Sequence, residues 1–162
     1  MTRRSATSRT IRPLLFAMLA LVAACQSVQT TAPGTVGIER KQAMSPLVSA
    51  QEIEQGAAQA YAKIIAEASA KNALNRNRAQ VERVRQVATR LIAPTAVFRP
   101  DALGWKWEVN VLGSDEVNAW VMPGGKIAVY TGLLDKLSLT DAELAAVLGH
   151  EIAHALREHG RE

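Results

Sequence analysis

Thr140 to Gly160 reads T-D-A-E-L-A-A-V-L-G-H-E-I-A-H-A-L-R-E-H-G. Thr140 followed three residues later by Glu143 is a capping box, and Asp141 adds negative charge where the helix dipole favours it. The Ala- and Leu-rich interior that follows is strongly helix-forming. These signals predict a helix from Asp141 to about His159, with Gly160 as its stop. His150 and His154 then stand one turn apart on one helix face, within reach of a single metal ion. Glu151 follows the first histidine in an H-E-x-x-H pattern, where it can act as general base towards a water. A solvated helix with two hydrated imidazoles is the competing reading. The absence of charge from Leu144 to Gly149, and at Ile152, Ala153, Ala155 and Leu156, argues against it: a solvent-facing helix carries Lys and Glu at such positions. The sequence therefore predicts His150, Glu151 and His154 inside apolar surroundings, satisfied by a metal.

The amino-terminal segment reads as targeting sequence. Arg3, Arg4, Arg9 and Arg12 precede an apolar run from Leu14 to Ala24, too short to span a bilayer and laid out as a secretory signal. Leu21-Val22-Ala23-Ala24-Cys25 resembles a bacterial lipobox, which makes 1–24 a signal peptide and Cys25 a lipidation site. Gln26 follows in place of the Asp that retains lipoproteins at the inner membrane, so the expected location is the outer membrane, facing the periplasm. A single cysteine makes no intramolecular disulfide. The chain carries 19 Lys+Arg and 15 Asp+Glu. Residues 1–24 hold four of the arginines and no acid, which leaves 15 against 15. No electrostatic case for nucleic acid survives that subtraction.

Residues 25–44, rich in Thr, Ser, Gln, Pro and Gly, read as a flexible tether. From 45 to 162 the pattern is that of one folded unit. An Ala-rich helix is expected from Ser45 to about Ala70, and a second from about Arg76 to Ile92, ended by Pro94. The Arg-rich face of that second helix reads as solvated rather than as a lipid or nucleic-acid contact. Trp105 to Val111 alternates as a strand, with Trp105, Trp107, Val109 and Val111 facing the core. Val117 to Met122 and Lys126 to Tyr130 read as two more strands joined by Pro123-Gly124-Gly125, and Gly132 to Leu137 as a helical turn. Asn118, Gly124, Gly125, Lys126 and Ile127 are candidates for holding an extended peptide by main-chain pairing, although an ordinary hairpin explains the same residues. The fold class is α+β, with helices packed on a small sheet.

Asn118-Ala119-Trp120-Val121-Met122-Pro123-Gly124-Gly125-Lys126-Ile127, then Tyr130-Thr131-Gly132-Leu133-Leu134, then Asp141 to His159 form an ordered set. It resembles the metallopeptidases of HtpX and the CAAX prenyl endopeptidases, peptidase family M48, and within them the bacterial periplasmic lipoprotein branch. The resemblance implies a zincin-like (gluzincin) fold and one zinc ion per chain, held by His150 and His154, with Glu151 catalytic. It implies a third ligand, a Glu on a later helix, beyond residue 162, so that 45–162 reads as the amino-terminal half of a longer catalytic domain. His159 matches a histidine often found five residues after the second ligand, and on a continuous helix it points off the ligand face. The implied activity is metalloendopeptidase cleavage of misfolded or unassembled envelope proteins. Two alternatives stay open: a non-catalytic periplasmic lipoprotein with a chaperone-like or assembly role, and an inactive fragment.

Overall fold

The computed structural model describes residues 26–34, 37, 39, 41–44 and 48–161. The expected signal peptide and Cys25 lie outside the described residues. Two short strands, β1 (Gln26–Val28) and β2 (Gln42–Met44), pair antiparallel. Helix α1 (Ala50–Ala70) follows, then α2 (Arg78–Ile92), two 3-10 turns (Ala93–Val97 and Pro100–Gly104), β3 (Glu108–Leu112), β4 (Ala119–Met122) and β5 (Lys126–Tyr130). Helix α3 (Thr131–Leu137), helix α4 (Asp141–Leu156) and a 3-10 turn (His159–Arg161) complete the described chain. The α+β class is the observed one.

Helices α1, α2 and α4 begin where a side chain can take up an orphan amide. Ser49 caps α1 in a full capping box with Glu52, four residues later than the start expected at Ser45. Asn77 caps α2 by accepting from the Gln80 amide at 3.2 Å. Thr140 caps α4 in the box expected from the sequence, donating its amide to Glu143 Oε2 at 2.8 Å. That backbone donor, with the Thr140 hydroxyl, holds the Glu143 carboxyl below the usual carboxylate range.

The second sheet has the order β3-β5-β4, with β3 parallel and β4 antiparallel to β5. Period-two alternation sorts its side chains to two faces. Val111, Ala119, Ile127 and Val129 meet Val81, Val84 and Val87 of α2 and Leu144, Leu148 and Ile152 of α4. Leu112, Ala128, Trp120, Met122 and Tyr130 point the other way, where α1 covers them with Tyr61, Ile64 and Ile65. Trp105 and Trp107 keep the alternating phase expected of them and pack on the α2/α4 core, but they precede the strand. Local bonds hold them there: the Trp107 amide donates to Trp105 O at 2.9 Å, and its indole N–H to Ala102 O at 2.8 Å.

The segment expected to be a tether is folded back in its described part. Thr30 Oγ1 donates to Gln42 Oε1 at 2.9 Å and to Arg157 O at 3.2 Å, and Gln42 Nε2 donates to Arg157 O at 3.0 Å. Composition hid this because the attachment consists of hydrogen bonds to distant main chain rather than apolar burial. The Arg-rich face of α2 also departs from a purely solvated one. Arg83 bonds Asp141 at 2.7 Å and the Leu139 carbonyl, which ties α2 to the start of α4, and Arg85 donates to Val109 O at 3.2 Å.

Tyr61 is 1% exposed and joins α1 to the sheet. Its hydroxyl donates to Ile127 O at 2.8 Å and accepts from Asn110 Nδ2 at 2.9 Å. Burial pushes its ionisation up from 10.0 to about 12, opposed by the Asn110 bond. Below pH 10 neither the folded nor the unfolded chain has lost this proton, and the stabilisation is complete. Above it the unfolded chain ionises first, so stability falls until the folded phenol follows near pH 12. A shift of that size corresponds to about 2–3 kcal/mol. Urea unfolding of wild type and Tyr61→Phe across this window should show a shallower alkaline loss in the variant, together with a neutral-pH cost of about 1–3 kcal/mol for the lost hydroxyl bonds to Ile127 O and Asn110 Nδ2.

Candidate metal centre

His150, Glu151 and His154 all lie on α4, as expected. Their surroundings differ from the expectation. The buried stripe of α4 is Leu144, Leu148, Ile152, Ala155 and Leu156. At 100° per residue the histidines fall on the opposite side. His150 is exposed, His154 and Glu151 are half-buried, and Ala142, Ala146 and Ala153 are exposed beside them. The charge-free run is thus divided between a core stripe and an open face of small residues. Absence of charge alone does not separate the two.

The imidazoles converge. His150 Nε2 and His154 Nε2 are 2.9 Å apart, with ring centroids at 4.5 Å and planes at 84°. Two nitrogens bound to one tetrahedral zinc at 2.0–2.1 Å sit about 3.3 Å apart. The pair therefore fits a shared ion after a small ring adjustment. No third His, Cys, Asp or Glu joins them in a three-donor cluster among the described residues.

His159 lies where the sequence reading did not put it. Helix α4 stops at Leu156, and Glu158 turns the chain with φ +55. His159 thereby comes back against His154, Nδ1 to Nδ1, with centroids 4.6 Å apart. It touches the side of the His154 ring away from Nε2, so it shares no metal position with the pair. Residues distant in sequence end the helix. Arg99 Nη1 donates to Leu156 O at 3.0 Å and pairs with Glu158 Oε1 at 2.7 Å, while Arg161 takes the other Glu158 oxygen. Thr30 and Gln42 take the Arg157 carbonyl. No local pattern announces Arg99, Thr30 or Gln42.

The peptide-holding candidates divide. β5 is the central strand, paired along both edges, so Lys126 and Ile127 cannot offer main chain to a peptide. Ile127 is core, and Lys126 is a buried cation that bonds Glu108 Oε1 at 2.7 Å and the Lys106 carbonyl. The edge strand beside α4 is β4. The Tyr130 amide donates to Asn118 O at 3.0 Å, which makes Asn118–Tyr130 a hydrogen-bonded pair. By antiparallel alternation the N–H and C=O groups of Ala119 and Val121 then point to the outer edge of the sheet. No described strand pairs there. The β3 edge differs: Leu74 bridges to Leu112, and Asn75 exchanges bonds with Val111.

Gly124 and Gly125 serve the hairpin. Gly125 N donates to Met122 O at 3.2 Å across a turn with Pro123 and then Gly124 at φ +76, the requirements of a type II turn. Gly125 follows at φ +80, and a Cβ there would stand 2.6 Å from the Trp107 ring. An apolar groove of about 430 Å³ runs along the Gly149–Ala153 flank of α4, against Leu91, Pro94 and Phe98. Neither histidine nor Glu151 lines it.

The model of peptidase family M48 matches residues 77–162, more than half of the chain. The chain belongs to this family. Its relatives include the mitochondrial metalloendopeptidase OMA1 of Arabidopsis thaliana, 49% identical over 59 residues, which are 36% of this chain and 12% of that protein. The metalloprotease YcaL of Escherichia coli is 28% identical over 149 residues, 88% of this chain and 54% of YcaL. The metalloprotease LoiP of the same organism is 44% identical over 50 residues, 31% of this chain and 19% of LoiP. The chain thus spans about half of YcaL and a much smaller share of the other two.

Gly125→Ala would combine the left-handed backbone cost with a clash against Trp107. The expected loss is about 1–3 kcal/mol, read by urea or thermal unfolding. A variant as stable as wild type would contradict the tight Trp107 contact.

Proposed function

We propose that this chain is the histidine-bearing part of a zinc metalloendopeptidase of zincin-like (gluzincin) architecture. The observation that carries the reading is the convergence of two imidazole nitrogens on the helix side away from the core, with Glu151 the residue after the first histidine and β4, whose outer edge no described strand pairs, packed against the same helix. When bound, zinc supplies a Lewis acid that polarises a scissile carbonyl and acidifies water. His150 and His154 would hold it through Nε2, with a third donor from outside the described residues. The carboxylate of Glu151 takes a proton from the attacking water and passes it to the departing amine nitrogen. Ala119 and Val121 align an extended substrate by main-chain pairing, and the open face of small side chains on α4 leaves the histidines accessible. A peptide with no fixed structure of its own satisfies that geometry, and misfolded or unassembled envelope proteins are such substrates. The lipobox-like Cys25 supports a lipid anchor at the outer membrane, facing the periplasm.

A second reading, a non-catalytic lipoprotein that binds assembly clients, draws on the two-histidine pair having no third donor among the described residues. One variant of the full-length protein separates the two. Glu151→Gln should retain stoichiometric zinc by elemental analysis and lose casein cleavage by at least about a hundredfold, the scale of a removed general base. Undiminished cleavage would overturn the mechanism. Absence of proteolysis in wild type and variant alike, with client binding intact, would favour the second reading.

A further inference from the structure

We propose that His159 is a positioning residue for His154. Its Nδ1 accepts the Nδ1–H of His154 and so holds that ring in the tautomer whose Nε2 lone pair is free to meet zinc. The inference rests on the metal-site reading above and adds to it the device that sets the second ligand.

A neutral imidazole carries one proton on one of two nitrogens. His154 must keep Nε2 bare to act as a ligand, so its proton belongs on Nδ1, and that N–H needs an acceptor that fixes both tautomer and ring rotation. Among the described residues, the ring nitrogen in contact with His154 Nδ1 is His159 Nδ1, while Nε2 on the other side of the ring faces His150. The ring planes of His154 and His159 meet at 70°, an edge-on approach that suits an N–H aimed at a lone pair. One donor direction is compatible with a metal at Nε2: His154 gives, His159 receives, and His159 keeps its own proton on Nε2. The reverse direction would place the His154 proton on Nε2, where it would block the metal.

The approach of His159 is built by the fold. On a continuous helix a residue five positions on lies about 140° around the axis from His154 and cannot reach its ring. The left-handed turn at Glu158 brings it back, and Glu158 is gripped by Arg99 and Arg161 with 13% of its side chain exposed. The acceptor is therefore held by a part-buried ion-pair cluster rather than by its own flexibility.

The test uses full-length protein and two substitutions. His159→Leu removes the acceptor. His159→Asn keeps one, because its Oδ1 occupies nearly the position of Nδ1. Long-range 1H–15N correlation spectra of metal-free protein should show His154 as the Nδ1–H tautomer in wild type and His159→Asn, and as a mixture in His159→Leu. Zinc affinity, measured by chelator competition, should fall about ten- to a hundredfold in His159→Leu, the scale for loss of a ligand's supporting partner, and largely recover in His159→Asn. Unchanged affinity and tautomer in a folded His159→Leu would overturn the proposal. So would a wild-type His154 protonated on Nε2, a result that needs no variant and decides the matter should His159→Leu fail to fold. A His150→Ala control separates the layers: if it too leaves zinc affinity unchanged, the metal-site reading fails with it.

Discussion

A helix leaves its last carbonyl groups without donors of its own, and at the end of α4 distant side chains supply them. Arg99 reaches Leu156 O, and Thr30 and Gln42 both reach Arg157 O. Satisfying those carbonyls from outside fixes where the helix stops. The stop forces the reversal at Glu158, the reversal puts His159 against His154, and Arg99 stabilises both steps by pairing with the Glu158 carboxylate. Arg99 is itself placed by the turn after α2 and stacks over the Trp105 ring at 5.0 Å. Three separate stretches of chain thus meet at one helix terminus, a turn away from the histidines. Thr30 and Gln42 thus act on the chain that carries His159 without either residue approaching the histidines.

The sheet supplies the second constraint. With β5 paired on both sides and buried on both faces, its side chains are committed to packing. This explains why Lys126 is neutralised by Glu108, its register partner on β3, instead of facing solvent. An unpaired ammonium at that depth would be costly. It also explains why strand availability falls to β4. The β3 edge is closed by the α1–α2 connection through Leu74 and Asn75, and the β4 edge lies beside α4.

What could be read from the residues alone was whatever local physics determines. Thr140 and Glu143 start α4 where the capping box puts them, and the alternation from Trp105 onward gives the correct inward phase through Val111. The i, i+4 spacing brings His150 and His154 together without any tertiary information. The misreadings occur where a partner far along the chain decides. Gly160 reads as the helix stop, yet the helix ends at Leu156 because Arg99, Thr30 and Gln42 claim its carbonyls. The stretch 25–44 reads as a tether because it lacks apolar residues, yet Gln42 is buried through hydrogen bonds. Lys126 reads as a substrate contact because periodicity gives a strand its faces but not its rank in the sheet.

These cases bear on what a family signature measures. The block from Asn118 to Ile127 is more distinctive than the five-residue histidine motif, and most of it carries no chemistry. Pro123 and Gly124 set a turn, Gly125 makes room for Trp107, Lys126 ties two strands, and Ile127 fills the core between α2 and α4. What those residues constrain is the position of β4 relative to α4: an edge strand with outward-facing main chain at Ala119 and Val121, held beside a helix that presents two imidazoles and a carboxylate. The reactive groups are few because side chains at fixed helical spacing already meet. The supporting groups are many because the place of β4 beside α4 is set by packing, and a turn with glycine where a Cβ would strike an indole is part of that packing.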